Sequence, residues 1–481
     1  MQQISTQFEA ALKIVDTLRA RGYEAYFAGG CVRDLLLGRE PADYDVATNA
    51  TPDVVLEMFP RTFAVGAHFG VVLVATCGEA DGACASEAPR ESAEEEAVRF
   101  VTEVATFRSD LAYSDGRHPD AVRYTETAEE DVRRRDFTIN GLLLDPLRGG
   151  GILDESLADP KILRGAVLDY VGGLADLDAG VVRAIGRAPE RFEEDHLRML
   201  RAVRFAARFG FEIEAETKRA IRSLAPRIHA VSRERVRDEL TKMLTEGHAR
   251  RAFELLDETA LLNEVLPEVA RMKGVEQPPQ FHPEGDVWTH TLMLLEQLEP
   301  ECSETLAWGA LLHDVGKPPT FKRAPDRIRF DGHVEVGVAI AGEICRRFRF
   351  SNEEARQVVA LVENHMRFMD AQRMKESTLK RFFRLERFEE HLALHKMDCL
   401  AGSGYLEHWE FVRERFLSTP ATIVRPKPLI TGRELIAAGY APGKGFREML
   451  RLAEDAQLEG IVTTAEDALK LVREKFPLPS D

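Results

Sequence analysis

Short runs of apolar residues, separated by glycine, proline and polar residues, dominate the N-terminal third of the chain. YEAYFAGG, DYDVATN, GVVLVAT, VRFVTEVATF and FTINGLLLD are rich in β-branched or aromatic residues, which predicts strands. VRDLLLG predicts a short helix closed by Gly38, and TPDVVLEMF predicts a helix that is capped by Thr51 and has proline at its first position. The alternation predicts an α/β or α+β head that ends near Asp154.

Helical periodicity dominates from about Asp176 almost to the end of the chain. The Pro-rich stretch GVEQPPQFHPEGD (residues 274–286) interrupts it before the region that holds most of the histidines. A second break, TPATIVRPKP (residues 419–428), precedes a small helical tail. The predicted segments are a head (1–154), a helical neck (155–273), a histidine-bearing body (274–418) and the tail (419–481).

Composition indicates an ordinary globular protein with several domains. The 481 residues are 44% hydrophobic and 30% charged, and they exceed the usual size of one core. We find neither a signal-peptide pattern nor an apolar run of transmembrane length. The six cysteines are scattered and form no C-x-x-C pair, which is typical of reduced thiols. These features predict a cytoplasmic location.

The charge is distributed unevenly. The formal net charge of −17 argues against coating by nucleic acid over the whole surface. Residues 78–96 carry seven acids against one arginine, which predicts a looped or disordered insertion. Residues 183–251 hold 17 Lys or Arg against 11 Asp or Glu, so one basic face is compatible with nucleic-acid binding.

A paired carboxylate lies in DYDVAT. On a strand, Asp43 and Asp45 would face the same side with Cα atoms about 6–7 Å apart. Such a pair suits one or two Mg²⁺ ions, which can activate a hydroxyl group and hold a leaving pyrophosphate. The Gly29-Gly30 turn and Arg33 predict phosphate binding nearby. Acid-x-acid triplets also arise by chance in an acidic chain, so the prediction depends on the order of these motifs.

The stretch EDHLRMLRAVRF predicts a helix on which Asp195 and Arg198 share a face. An Asp can accept from the exocyclic amine of cytosine or adenine while an Arg donates to the adjacent ring nitrogen. Uracil and guanine present the opposite pattern, so this pair can select CTP and ATP. The alternative is an ordinary ion pair three residues apart.

The sequence resembles a known family through several ordered motifs. GGCVRD followed by DYDVAT is similar to the head of the nucleotidyltransferase superfamily, and specifically to the class II tRNA nucleotidyltransferase (CCA-adding) and bacterial poly(A) polymerase family. The resemblance continues through residues 102–108, 133–145 and 194–213 and covers most of the chain. In the body, VWTHTL, GALLHDVGKP, DGHVEVG, VENHMRF and HKMDCLAG resemble the HD phosphohydrolase signature.

The resemblance implies a multidomain α+β protein: a nucleotidyltransferase α/β head with a mixed sheet, then a mostly α-helical neck, HD body and tail. It implies template-independent addition of CCA to tRNA 3′ ends from CTP and ATP with Mg²⁺ in the head. Asp43 and Asp45 would be catalytic, and Gly29, Gly30 and Arg33 would bind the triphosphate. The segment 108–131 matches a flexible loop that complete CCA-adding members use when they switch from C to A.

Further nucleotide contacts follow from the same resemblance. Asp136, with Arg135 and Asn140, would contact the ribose 2′-OH; a salt-bridged connector is the alternative. Asp195 and Arg198 would read the base. Arg201, Arg204 and Arg208 would orient that pair or contact phosphates. Glu103 would be a third carboxylate.

The HD resemblance implies a divalent transition metal of unknown identity. The implied ligands are His290, His313, Asp314, His333, His365 and Asp398. Lys317 would steady a substrate phosphate, and the substrates would be 2′,3′-cyclic or terminal phosphates. His282 is a spare histidine beside this set, whereas His391 and His395 fit the pattern no better than surface residues. A decayed HD domain kept as an RNA scaffold is the alternative.

Several functions stay open at this point. Within the same chemistry, A-only addition, CC-only addition and poly(A) synthesis are alternatives to CCA addition. From a different class, the chain could be an HD phosphohydrolase whose head only binds RNA.

Overall fold

The computed structural model describes residues 6–63, 70–77, 99–111, 121–148, 160–280, 282–325 and 327–478. It divides into two compact units, of which the first comprises Met1–Leu240 and Glu254–Val265 and the second Thr241–Phe253 and Leu266–Asp481. The predicted acidic insertion at 78–96 and the centre of the predicted loop at 108–131 lie outside the described residues.

The first unit combines one large sheet with helices. Its strands are β1 (Ala25–Ala28), β2 (Asp45–Thr48), β3 (Thr62–Phe63), β4 (Val71–Cys77), β5 (Arg99–Thr106), β6 (Arg108–Leu111), β7 (Ala121–Tyr124), β8 (Leu142–Leu144), β9 (Val167–Asp169), β10 (Val181–Val182) and β11 (Glu212–Ile213). Its helices are α1 (Thr6–Ala20), α2 (Gly30–Leu36), α3 (Pro52–Met58), α4 (Ala128–Arg133), α5 (Pro160–Gly165), α6 (Gly173–Ala179), α7 (Ala188–Glu194), α8 (Leu197–Phe209), α9 (Ala215–Leu224), α10 (Arg233–Thr245), α11 (Ala249–Glu258) and α12 (Leu261–Val265). Helices α10 and α11 contribute residues to both units.

The head sheet has seven strands in the order β3-β4-β5-β2-β1-β8-β9. Strand β2 runs parallel to β5 and antiparallel to β1, so the sheet is mixed. The remaining neighbours in the sheet pair antiparallel. The predicted mixed sheet is therefore confirmed.

The structure corrects three local predictions in the head. Strand β2 begins at Asp45, so Asp43 lies before the strand and not within it. The reason is the register: Asp45 pairs with Ala28, the last residue of β1, and the chain then turns at Gly29 with a positive φ of 72°. FTINGLLLD is not one strand, because a 3₁₀ turn at Thr138–Asn140 precedes β8. Helix α3 begins at Pro52 as predicted, but the side chain of Thr51 makes no capping hydrogen bond.

The second unit is almost entirely helical, which confirms the predicted fold class. Its helices are α13 (Pro267–Ala270), α14 (Val287–Leu295), α15 (Glu304–Leu312), α16 (Lys317–Thr320), α17 (His333–Arg347), α18 (Asn352–Asn364), α19 (Glu376–Phe382), α20 (Phe388–Ala401), α21 (Glu407–Ser418), α22 (Ala421–Val424), α23 (Gly432–Ala437), α24 (Gly445–Leu458) and α25 (Ala465–Lys475). A 3₁₀ helix at His365–Arg373 follows α18, and β12 (Lys322–Arg323) pairs with β13 (Ile328–Arg329).

Two hydrophobic clusters hold the C-terminal helices in place. One is built around the rings of Phe368, Phe382 and Phe388. The other, around Leu435, Ala468 and Val472, forms the core of the predicted tail. Within the described ranges, no helix has both the length and the apolar character needed to cross a bilayer.

Candidate functional site

The sheet register brings two acidic residues together in the head. Strand β5 runs parallel to β2 with Val104 opposite Val46, so Glu103 and Asp45 each stand one residue before this pair. Val46 and Val104 are buried. Since successive side chains of a strand face opposite sides, Asp45 and Glu103 share the other face. Glu103 is thereby the third carboxylate that the sequence suggested.

Asp43 reaches the same place from outside the strand. Between the two aspartates, Tyr44 is 4% exposed, and its ring packs against Phe8 and Phe27 at centroid distances of 5.6 and 5.5 Å. The buried ring fixes the chain at this point. Asp43 is exposed and lines the same cleft as Asp45.

The electrostatics of these carboxylates fit a divalent cation. Burial, and then the charges of Asp43 and Glu103, raise the pKa of Asp45 to about 7, while Arg135 lowers it. Three carboxylates that repel one another at one site would be stabilised by a cation between them. The donor set consists of oxygen atoms alone, which is the preference of Mg²⁺.

The double glycine lies directly beside this group. Gly29 follows β1 with a φ of 72°, a conformation that side chains disfavour, and its N–H donates to the carbonyl of Leu142 at 3.1 Å. A Cβ atom at Gly29 would stand 3.0 Å from Nη1 of Arg135. Because Gly29 has no side chain, the guanidinium group of Arg135 can lie against the backbone of this turn, beside the carboxylates.

Arg33 is more deeply embedded than a simple phosphate ligand. It is 4% exposed, and its guanidinium group donates to Asp34 at 2.8 Å and to Oδ1 of Asn140 at 2.6 Å. It also lies over the rings of Phe205 and Phe209, at 5.3 and 4.4 Å. Burial lowers its pKa. Arg33 thus fixes Asn140 and contributes positive charge from behind the glycines.

Asp136 is the centre of a buried network that joins the head to the neck. Its Oδ1 accepts from Asn140 at 3.0 Å and from the backbone N–H of Phe137 at 2.8 Å. Its Oδ2 pairs with Arg201 at 2.7 Å. Although burial opposes ionisation, Arg201 and Asn140 together lower the pKa of Asp136 to about 2. The salt-bridged connector, which the sequence left as the alternative for this residue, is present in the structure.

Asp195 and Arg198 do not share a helical face, contrary to the prediction. Helix α7 ends at Glu194, and Asp195 has an extended backbone (φ −145°, ψ 107°) before α8 begins. The physical reason is local: Oδ1 of Asp195 accepts from the backbone N–H of Leu197 at 3.0 Å, which competes with continuation of the helix. Oδ2 accepts from Arg235 at 2.8 Å, whereas Arg198 pairs with Glu194 at 2.5 Å.

A cleft of about 590 Å³ in the first unit collects the predicted head and neck residues other than Arg208. The sequence-predicted residues among its lining are Gly29, Gly30, Arg33, Asp43, Asp45, Glu103, Arg135, Asp136, Asn140, Asp195, Arg198, Arg201 and Arg204. The sequence did not single out Arg134, Phe205 or Arg235, which also line it. The ring of Phe205 lies 4.4 Å from the guanidinium carbon of Arg204, itself paired with Glu239 at 2.7 Å. Arginine-rich helices give no signal that separates cleft arginines from solvated ones.

The second unit holds a separate cluster that contains all six residues of the HD pattern. The six residues form two groups of three. Within each group, the potential ligand atoms lie within 4.8 Å of one another. The groups are His290, His313 and Asp398, and Asp314, His333 and His365. A third group in the same neighbourhood contains His282, Glu284 and His290.

Three of the histidines are oriented in the same way. The Nδ1 atom of each lies at hydrogen-bond distance from the carbonyl oxygen three residues earlier. The pairs are His313 with Ala310 (2.8 Å), His333 with Phe330 (3.0 Å) and His365 with Val362 (2.7 Å). Their Nε2 atoms are buried and make no well-aligned hydrogen bond among the described residues, and that of His313 lies 3.3 Å from Oδ2 of Asp314. Buried imidazole nitrogens turned toward carboxylates are suitable ligands for a divalent transition metal, so the residues fit such an ion.

Lys317 and Asp314 form the charged centre of the cluster. Nζ of Lys317 lies 2.6 Å from Oδ2 of Asp314 and donates to Oε1 of Gln277 at 2.6 Å. Lys317, and next His313, lower the pKa of Asp314 well below its usual value despite burial. Asp314 is therefore a carboxylate ready to bind a cation, with an ammonium group beside it.

His391 and His395 are not surface residues. They are 1% and 2% exposed, and burial is the main cause that lowers the pKa of each to about 4. The ring of His395 stacks on Phe368 at a centroid distance of 4.3 Å. Both histidines therefore belong to the core of the second unit.

The carboxylate cleft on a mixed sheet and the histidine–aspartate cluster in a helical unit define the class: a multidomain protein with a nucleotidyltransferase-type head and an HD domain. Family models match in the same order. The poly(A) polymerase head domain matches residues 25–183, the probable RNA- and SrmB-binding site of polymerase A matches residues 210–273, and the HD domain matches residues 286–400. The chain therefore contains a head, an RNA-binding region and an HD domain in the order of these three family models.

Curated relatives and solved structures agree with this assignment. The CCA-adding enzyme of Geobacillus thermodenitrificans is 39% identical over 53% of this chain and 54% of its own length. That of Lactiplantibacillus plantarum is 39% identical over 52% of each chain. The chain thus spans about half the length of these curated relatives.

Two solved structures resemble nearly the whole chain. The Bacillus stearothermophilus CCA-adding enzyme in complex with CTP superposes with a TM-score of 0.70 and 26% identity, and 98% of each chain is covered. The Thermotoga maritima CCA-adding enzyme complexed with tRNA has a TM-score of 0.56 and 17% identity, covering 98% of this chain and 97% of the other. The second likeness concerns the fold alone.

Proposed function

We propose that this protein is a template-independent tRNA nucleotidyltransferase that adds CCA to tRNA 3′ ends from CTP and ATP. The observation that carries the proposal is the convergence of Asp43, Asp45 and Glu103 in one cleft with the arginine-rich neck. The names of the relatives, and the CTP complex of the Bacillus stearothermophilus enzyme, support it. A-only addition, CC-only addition and poly(A) synthesis use the same chemistry and are outcomes of the test below.

The carboxylates would act as ligands in nucleotide transfer. Asp43 and Asp45, with Glu103 beside them, would hold Mg²⁺, which when bound supplies charge for the triphosphate and activates the RNA 3′ hydroxyl group. Gly29 and Gly30 present backbone to the triphosphate. The guanidinium group of Arg135 and the charge of Arg33 offset the negative charge of its phosphates.

The neck would select the base. The carboxylate of Asp195 accepts from the exocyclic amine of C or A, and Arg198 donates to the neighbouring ring nitrogen. Arg235 and Glu194 orient these two side chains, since each makes an ion pair with one of them. A wrong base leaves polar groups unpaired, at a cost of about 1–3 kcal/mol for each.

The sugar contacts complete the site. Asn140 and Asp136 would contact the ribose 2′-OH. Arg201 pairs with Asp136 and Arg204 pairs with Glu239, and these ion pairs would hold the side chains of the cleft in position. The rest of the basic neck and the helical tail would bind the acceptor arm of tRNA through its backbone and shape.

Extension of truncated tRNA tests this proposal. The full-length protein is incubated with tRNA that lacks its 3′ CCA and with each nucleoside triphosphate alone and in pairs. We expect C addition from CTP, followed by A from ATP, with UTP and GTP unused. Asp43→Ala should abolish incorporation. Normal extension by that variant would overturn the assignment of the head.

A second activity is proposed for the HD cluster: metal-dependent hydrolysis of 2′,3′-cyclic or terminal phosphates. The specific observation is the set of buried Nε2 atoms of His313, His333 and His365, which make no well-aligned hydrogen bond among the described residues. Asp314 would bind a divalent transition metal, and Lys317 would hold the substrate phosphate. Asp314→Ala should abolish opening of an RNA 2′,3′-cyclic phosphate to the 2′- or 3′-monoester, and phosphate release from a terminal monoester, and leave nucleotide addition intact. Hydrolysis of both ends at the parent rate would overturn the activity.

A further inference from the structure

The segment that connects the two helical domains has a structure of its own. The RNA-binding family model ends at residue 273 and the HD model begins at residue 286, so the residues between them belong to neither. Glu276 and Asp286 form an antiparallel bridge, and the N–H of Gln277 donates to the carbonyl of Gly285 at 3.2 Å. Residues 274–280 and 282–286 are hereafter called the connecting hairpin.

The hairpin places a buried carboxylate against a histidine of the HD cluster. The side chain of Glu284 is 4% exposed. Its Oε1 lies 2.6 Å from Nδ1 of His290 and 2.9 Å from Nδ1 of His282. The same hairpin supplies Gln277, which accepts from Lys317 at 2.6 Å.

His290 is anchored differently from its neighbours in the cluster. His313, His333 and His365 lie at helix ends, where carbonyl groups are free of the helical ladder, and each is bonded to one of them. His290 lies inside α14, where the carbonyl three residues earlier, that of Val287, accepts from the hydroxyl of Thr291 at 2.8 Å. The His290 ring therefore takes its acceptor from outside the helix.

We propose that Glu284 is the positioning residue of the HD metal centre. By accepting the Nδ1–H of His290, it fixes the tautomer and the orientation of the ring, so that Nε2, 3.0 Å from Oδ1 of Asp398, faces the metal. The inference rests on the HD metal centre proposed above. Loss of such an outer carboxylate typically weakens metal binding by about 10–100-fold.

Titration of the full-length, chelator-treated protein with Co²⁺ tests the inference. Affinity is measured by competition with a chromophoric chelator, and ligand geometry by visible absorption. We expect Glu284→Ala to bind Co²⁺ about 10–100-fold more weakly with unchanged stoichiometry. Glu284→Gln keeps an acceptor oxygen and should recover most of the affinity. The control is Glu276→Gln, in the same hairpin, whose side chain is 61% exposed and pairs with Arg323; it should bind as the parent does.

Four outcomes would overturn the inference. Parent-like affinity in Glu284→Ala would show that His290 needs no outer carboxylate. Loss of one bound Co²⁺ per protein, or a changed absorption spectrum at saturation, would make Glu284 a metal ligand itself. Equal loss in Glu276→Gln would trace the effect to the hairpin as a whole. A parent that binds no Co²⁺ would remove the HD metal centre as well, which separates failure of the earlier proposal from failure of this one.

Discussion

At the scale of single residues, the raised pKa of Asp45 should couple the proposed magnesium binding to pH near neutrality. A proton and a metal ion compete for the same carboxylate oxygens, and this carboxyl group has a pKa of about 7. Lowering the pH from about 8 to about 6 should therefore raise the Mg²⁺ concentration for half-maximal incorporation about tenfold. Single-nucleotide addition measured across Mg²⁺ titrations checks this, and a midpoint independent of pH would contradict it.

His391 makes the stability of the second unit sensitive to acid. Burial, and then the charge of Arg367, lower its pKa from 6.5 to about 4. The unfolded chain therefore binds the proton more tightly than the folded chain does. The contribution of His391 to the free energy of unfolding is fully present above about pH 6.5 and is lost as the pH falls toward 4. Leucine cannot take up this proton. His391→Leu should therefore abolish a decrease of about 1–3 kcal/mol in the free energy of unfolding between about pH 6.5 and 4.

Urea unfolding of the parent and His391→Leu at several pH values measures this difference. The comparison concerns the slope of the free energy of unfolding against pH, because the substitution also changes packing at every pH. Parallel slopes for the two proteins would exclude His391 as the titrating group.

At the scale of elements, the break between α7 and α8 should matter for base choice. Arg235 on α10 pairs with Asp195 in that break, and its side chain is 25% exposed. Arg235→Ala should release the carboxylate and reduce the preference for CTP over UTP by about tenfold, equivalent to about 1.4 kcal/mol.

A residue on the same helix provides the matched control. The side chain of Arg237 is 26% exposed and pairs with its neighbour Asp238, outside the cleft lining. Arg237→Ala should keep the parent's base preference when kcat/KM is measured with each triphosphate. A similar loss in both variants would indicate general damage to α10.

At the scale of the whole molecule, the metal sites proposed in the two units should respond separately to added ions. Ligands that bind only the folded state stabilise it, by about 2.7 kcal/mol at a concentration of 100 times Kd. Co²⁺ should therefore raise a thermal unfolding midpoint of chelator-treated protein in calorimetry. His365→Ala should lose this gain, and Asp43→Ala should keep it. The opposite pattern would place the Co²⁺ site in the head.

The sequence predicted features that depend on local pattern and on ordered motifs. Most strand runs, the short helix after Gly29 and the mostly helical C-terminal part were predictable because each depends on neighbouring residues. The start of β2 was not, since it depends on where β1 ends. The break at Asp195 depends on one carboxylate that binds the backbone of Leu197, and helical periodicity carries no sign of it.

Contacts between distant segments were the other limit of prediction. Arg235 lies 40 residues from Asp195, and nothing in either stretch indicates their pairing. The contact between Glu284 and His290 was not predicted either. His290 was assigned from the HD motif, and Glu284 is not part of that motif. His391 and His395 are absent from the ligand groups found among the described residues, as the sequence predicted, but their burial was not predicted, because it depends on the elements that pack against α20.

Three histidines of the HD cluster are bonded to carbonyl groups at helix ends, so the geometry of the cluster depends on the lengths of these helices. One residue inserted into α15 would turn His313 by about 100° around the helix axis and raise it by about 1.5 Å. The side chain would then leave the group that it forms with His290 and Asp398. Exchanges on the outer surfaces of these helices should thus be tolerated far more readily than insertions or deletions within them.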